Sequence, residues 1–82
     1  MYIVVLKHCP YSIKAHRQLK RLQKENKIIL YDTIINDDQK TDFHQMPTFP
    51  QIHYKIRTRK IKIGGSTDLE EWIKKNHKRF NF

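Results

Sequence analysis

Cysteine is nearly absent from this sequence of 82 residues: Cys9 is the only one. A lone cysteine excludes an internal disulfide staple and argues against a secreted, disulfide-framed miniprotein, so a reducing, cytoplasmic compartment is expected. Long apolar runs are absent too. The longest near the N-terminus, Tyr2-Ile3-Val4-Val5-Leu6, is too short for a signal h-region or a membrane span, and no basic segment precedes it. Repeats, linkers and low-complexity segments are also lacking, which leaves one domain over residues 1–82. A chain this short relies on regular, well-packed architecture to hold a modest core.

Acidic residues are scarce: 8 Asp and Glu stand against 17 Lys and Arg, a net charge of +9. Such a surplus attracts anions. The basic residues are spread along a chain rich in Ile, Lys and Asn, and a solvated surface accounts for most of them. Nucleic acid is therefore not the expected partner, although Lys55, Arg57, Arg59, Lys60 and Lys62 form one dense stretch. The five histidines do not make a metal site: His8 and His16 beside Cys9 lack the ligand count and spacing of zinc. His44, His53 and His77 read as surface or edge residues, and no metal is expected.

Ile3 to Leu6 has the continuous apolar pattern of a strand buried on both faces. It runs into Lys7-His8-Cys9-Pro10. A helix follows, with Ala15, Leu19 and Leu22 on one stripe and Pro10 in its first turn, where a missing N–H costs nothing. Ile28 to Ile35 reads as a second strand, completing a βαβ unit with parallel strands. Asn36 to Gln45 has room for a turn or one short helix. Met46 to Pro50, with two prolines, can be neither regular helix nor interior strand. Gln51 to Ile56 and Lys60 to Ile63 suggest an antiparallel hairpin, although Arg57-Thr58-Arg59 lacks the Gly or Asn that a tight turn prefers. Thr67-Asp68-Leu69-Glu70 has the form of a capping box, followed by the apolar stripe Leu69, Trp72 and Ile73 of a terminal helix.

A cysteine between the end of a buried strand and the first turn of a helix is placed for reactivity. Ligands of open α/β sheets gather at that edge, and the free N–H groups of the helix favour thiolate over thiol. Lys7 and His8 add charge or polarisability nearby. The competing reading, a structural buried cysteine, fits poorly with polar neighbours at an element boundary.

Three motifs carry a family resemblance. Cys9-Pro10-Tyr11-Ser12 is similar to the Cys-Pro-Tyr-Cys site of glutaredoxins, with serine at the second cysteine position. Thr48-Phe49-Pro50-Gln51-Ile52 resembles their Thr-Val-Pro-Gln-Ile segment, whose proline is cis. Gly64-Gly65-Ser66-Thr67-Asp68-Leu69 resembles their Gly-Gly-x-Asp-Asp-Leu segment. The resemblance spans essentially the whole chain. It implies a thioredoxin-like α/β fold: a four-stranded mixed sheet flanked by helices, in the order β-α-β-(short α)-β-β-α. It also implies a glutathione-dependent thiol–disulfide oxidoreductase, acting as a monomer on glutathionylated or disulfide-bearing proteins. Cys9 would be the nucleophile in the motif Pro10, Tyr11, Ser12. Glutathione would lie along Lys7, Tyr11, the Phe49–Pro50 edge and the corner Gly65, Ser66, Thr67, Asp68.

Departures from the family pattern are also visible. Lys7 stands one residue closer to the cysteine than the family's lysine, Thr67 replaces an aspartate, and the hairpin is longer and more basic. Ser12, natural or a replacement, removes the resolving thiol and leaves a monothiol route. Two other functions remain open on the sequence: a [2Fe–2S] carrier using Cys9 and glutathione, and a redox-fold module docking through its basic hairpin.

Overall fold

A computed structural model describes residues 1–43 and 48–80. The elements are β1 (Tyr2–Leu6), α1 (Pro10–Lys24), β2 (Tyr31–Ile35), a 3₁₀ helix (Asp37–Asp42), β3 (Gln51–Ile56), β4 (Arg59–Gly64), α2 (Ser66–Lys75) and α3 (His77–Phe80). The four strands form one mixed sheet in the order β2-β1-β3-β4. β1 runs parallel to β2 and antiparallel to β3, and β3 and β4 form the antiparallel hairpin. The protein is thus a small α/β structure. Among the described residues no helix is long and apolar enough to cross a membrane.

Alternation along the strands sorts the sheet into two faces. Ile3 and Val5 of β1 and Ile52 of β3 point to the first face, where they meet Ala15, Leu19 and Leu22 of α1 and Leu69 of α2. The expected stripe of α1 is therefore the buried one, joined by Ser12. Trp72 and Ile73 of α2 pack against the same core, and the Tyr54 ring lies 5.6 Å from that of Trp72. Lys14 of α1 and Glu70 of α2 close the helix layer at 2.9 Å. His16 of α1 reaches the sheet at Asp32, 2.8 Å away. That hydrogen bond, ahead of the opposing effect of burial, holds the Asp32 carboxyl below its usual range.

Two boundaries differ from the sequence reading. β2 begins at Tyr31, not at Ile28. The register pairs Tyr31 with Tyr2, so Ile28 to Leu30 lie beyond the start of β1 and have almost no strand to pair with. Leu30 and Ile28 are spent on the core instead, and Ile29 accepts a hydrogen bond from the N-terminal ammonium at 3.0 Å. α2 begins at Ser66, with Gly65 and not Thr67 as its cap. Asp68 accepts the Gly65 N–H at 2.9 Å, while Glu70, which a Thr67 cap would need, is drawn to Lys14. The hairpin closes through Arg57-Thr58, between the paired residues Ile56 and Arg59. Arg57 takes φ 57° there, the left-handed value that a glycine would supply at lower cost.

Leu19 is wholly buried at the centre of this core. Leu19→Ala is expected to cost about 2–5 kcal/mol of unfolding free energy, read by denaturant titration. A loss under about 0.5 kcal/mol, as surface substitutions give, would place Leu19 outside the core.

Candidate active site

The register brings three separate segments to one end of the sheet. β1 ends at Leu6, and the Lys7 N–H donates to the Ile35 carbonyl at the end of β2, 2.8 Å away. Val4 pairs with Gln51, so the residue before β3, Pro50, lies at the end of β1 from which Lys7, His8 and Cys9 emerge. Ile52 pairs with Gly64, which brings the start of α2 to the same end. Pro50 is buried, and its peptide bond with Phe49 is cis. A Cβ built on Gly65 would stand 3.9 Å from the Pro50 carbonyl oxygen, so the Phe49–Pro50 segment and the Gly65 corner are neighbours. Gly64 has φ 119°, and a Cβ there would collide with the Asp68 carboxylate. Only glycine permits both the turn and the close approach of that side chain. Pro47, the other proline of the segment, lies outside the described residues.

Cys9 is the N-cap residue of α1, with an extended backbone, and Pro10 opens the helix. The chain reaches this position through His8, at φ 71°, and a Cys9 N–H bond to the Leu6 carbonyl of 3.1 Å. The cysteine is half-buried and free. Ser12 is fully buried, and its Oγ accepts the Leu6 N–H at 3.2 Å. One hydroxyl therefore joins the last residue of β1 to the first turn of α1.

Electrostatically, burial pushes the Cys9 thiol up. The Ser12 amide, the Ser12 hydroxyl and the Tyr11 amide, as hydrogen-bond donors to sulfur, outweigh it with help from the Lys40 charge, and the thiol lies below its ordinary value. The neutral side chain makes no capping hydrogen bond, so these donors act chiefly on the anion, as a helix N-terminus does. Lys7 is exposed, and the charge that helps lower Cys9 is that of Lys40. Lys40 lies on the 3₁₀ helix that continues from β2, 3.8 Å from Asp37, and sequence alone carried no signal linking it to Cys9.

The other expected residues divide. Tyr11, two residues after Cys9, is 66 % exposed. Phe49, Pro50, Gly65, Ser66, Thr67 and Asp68 reach the shared sheet end, Ser66 buried and Thr67 and Asp68 exposed. The Asp68 carboxylate is already engaged with the Gly65 N–H. A groove of about 680 Å³ starts at Pro10 and follows α1 past Ile13, Lys14, Arg17 and Arg21. Among the described residues no cluster of three or more His, Cys, Asp or Glu is disposed to hold a metal ion. No family model matches the chain, and comparison with curated proteins and with solved structures gives no match.

The geometry separates the residues that tune Cys9 from those that do not. Ser12→Ala should raise the midpoint of the pH profile for Cys9 alkylation. It should also cost about 1–3 kcal/mol of stability by orphaning the buried Leu6 N–H. Lys40→Gln should raise the midpoint slightly and only at low ionic strength, and Lys7→Gln should leave it unchanged. A midpoint that moves with Lys7 and ignores Ser12 would contradict this assignment.

Proposed function

We propose that the protein has a thioredoxin-like fold and is a glutathione-dependent thiol–disulfide oxidoreductase of the glutaredoxin kind, with Cys9 as its single nucleophile. The observation that carries the reading is Cys9 at the start of α1, its thiol lowered by the amides of Tyr11 and Ser12 and by the Ser12 hydroxyl. The neighbouring Phe49–Pro50 and Gly65 segments support it, since a peptide-like ligand beside the sulfur needs an open backbone edge and helix N–H groups for a carboxylate.

In the proposed cycle the Cys9 thiolate attacks the glutathionyl sulfur of a mixed disulfide. A Cys9–glutathione disulfide forms and the protein thiolate leaves, to take a proton from solvent. The thiolate of a second glutathione then attacks the glutathionyl sulfur on Cys9. Oxidised glutathione departs, and Cys9 returns as thiolate. No second protein thiol is required, in keeping with serine at position 12. Tyr11, exposed two residues after Cys9, would flank the bound tripeptide. Asp68 and the α2 N-terminus would meet its charged end, with Lys7 and Lys40 as the cations for a carboxylate, Lys40 being the one whose charge acts on Cys9. The reading carries with it a reducing compartment and glutathionylated proteins as substrates.

A glutathionylated test peptide with reduced glutathione and a coupled reductase provides the assay. Turnover should be abolished in Cys9→Ser. Asp68→Asn keeps an oxygen for the Gly65 N–H and removes only the charge, so it should raise KM more than it lowers kcat. Replacing Arg57 and Arg59 together should leave peptide turnover nearly unchanged. A wild-type protein that does not deglutathionylate the peptide faster than glutathione alone would overturn the proposal.

A further inference from the structure

The second face of the sheet, turned away from α1 and α2, carries an aromatic row across three strands. Tyr31 of β2, Tyr2 of β1 and His53 of β3 are register partners. Their rings stack in succession, Tyr31 on Tyr2 at 5.0 Å and 21°, and Tyr2 on His53 at 4.8 Å and 3°. These spacings match the separation of neighbouring strands, about 4.8 Å, so the rings stand side by side on the sheet. Lys62 continues the row on β4, opposite His53, and Lys55 and Lys60 form the next pair toward the hairpin. The Lys55 Nζ lies 5.2 Å from the centre of the Tyr2 ring.

The row has an open end. β2 is an edge strand, so among the described residues no further strand sets a ring against the outer side of Tyr31, which is 56 % exposed. The positive potential here is strong enough to be felt at His53. Burial, then the charges of Lys60, Lys55 and the N-terminus, push its imidazole below the ordinary histidine value. Beside the row, Tyr2, Tyr31, Thr33, Phe43, Gln51 and Lys60 border a hollow of about 300 Å³, in which Asp42 is the one acidic neighbour among the described residues.

We propose that this face binds single-stranded nucleic acid, a base stacking on the open side of Tyr31 and the phosphates running across the sheet toward the lysines of the β3–β4 hairpin. The charge match favours a polyanion. The open aromatic end favours one that carries planar rings, which an acidic protein segment does not. A duplex hides its bases and offers only phosphates, so it would lose the stacking part of the interaction. The face is opposite the layer that holds α1, and binding there does not require the Cys9 chemistry.

Fluorescence anisotropy of labelled oligo-dT and oligo-U, with the full chain at low salt, tests the proposal. Binding should be tighter than about 100 μM, the weak limit of non-specific association, and should weaken steeply with salt. Tyr31→Leu should lower affinity about five-fold or more, while Tyr31→Phe retains it, since one stacked base is worth about 1–3 kcal/mol. Lys55→Gln should weaken binding and reduce the salt dependence. Cys9→Ser should bind as the parent does, so failure of the redox reading leaves this test intact. Absence of binding would overturn the proposal. So would equal affinity for a duplex of the same length, or an affinity that ignores Tyr31 while Arg17→Gln and Arg21→Gln on α1 abolish it. Circular dichroism melting of each variant separates lost binding from lost fold.

Discussion

The Ser12 hydroxyl sits where the chain changes from strand to helix, and most of the site depends on it. It accepts the N–H of Leu6, the last residue of β1, and it is a donor toward Cys9. Between those two residues the chain makes a sharp turn through His8 at positive φ. Without a buried acceptor, the Leu6 amide would lose its partner in an apolar surrounding, at a cost of about 1–3 kcal/mol. The same atom therefore secures the turn and favours the thiolate. A cysteine at this position would bring a larger, weaker acceptor to the Leu6 amide.

From that junction the rest of the sheet end follows by register. The parallel pairing of β1 with β2 delivers the 3₁₀ helix and Lys40 to one side of the sulfur. The antiparallel pairing of β1 with β3 delivers Phe49 and Pro50 to the other, and β4 delivers Gly64 and the start of α2. Charge is divided between the two faces of the sheet. On one, basic residues of α1 line the groove from Pro10 to Arg21. On the other, lysines of the hairpin border a stacked aromatic row. Part of the net charge of +9 therefore lies along these two features of the molecule.

Much of this was legible in the sequence, because the relevant signals are local. The α1 stripe of Ala15, Leu19 and Leu22, Pro10 in the first turn, and Cys9 at the strand–helix boundary all lie within a few residues of one another. The four-stranded mixed sheet was equally readable, as was the element order up to α2; the short α3 (His77–Phe80) was not foreseen. What escaped was set by distant pairing. Ile28 looks like strand until the register shows that it lies beyond the start of β1, with no strand to pair with. Thr67 and Gly65 both precede an acidic residue by three positions, and in the structure Asp68 takes the Gly65 N–H while Glu70 pairs with Lys14. Lys40 is remote from Cys9 along the chain, yet its charge helps lower the thiol. His53 was read as an ordinary surface or edge residue. It lies within the ring row because three strands converge on it, which no window of sequence displays.

The central claim is that the start of α1 lowers the Cys9 thiol below its ordinary value. Because Cys9 is the only cysteine, a nuclear magnetic resonance titration of protein labelled at the cysteine β-carbon reports it without ambiguity. The account predicts one transition with its midpoint clearly below about 8.5, the value of an unperturbed thiol. A midpoint at or above that value would contradict it.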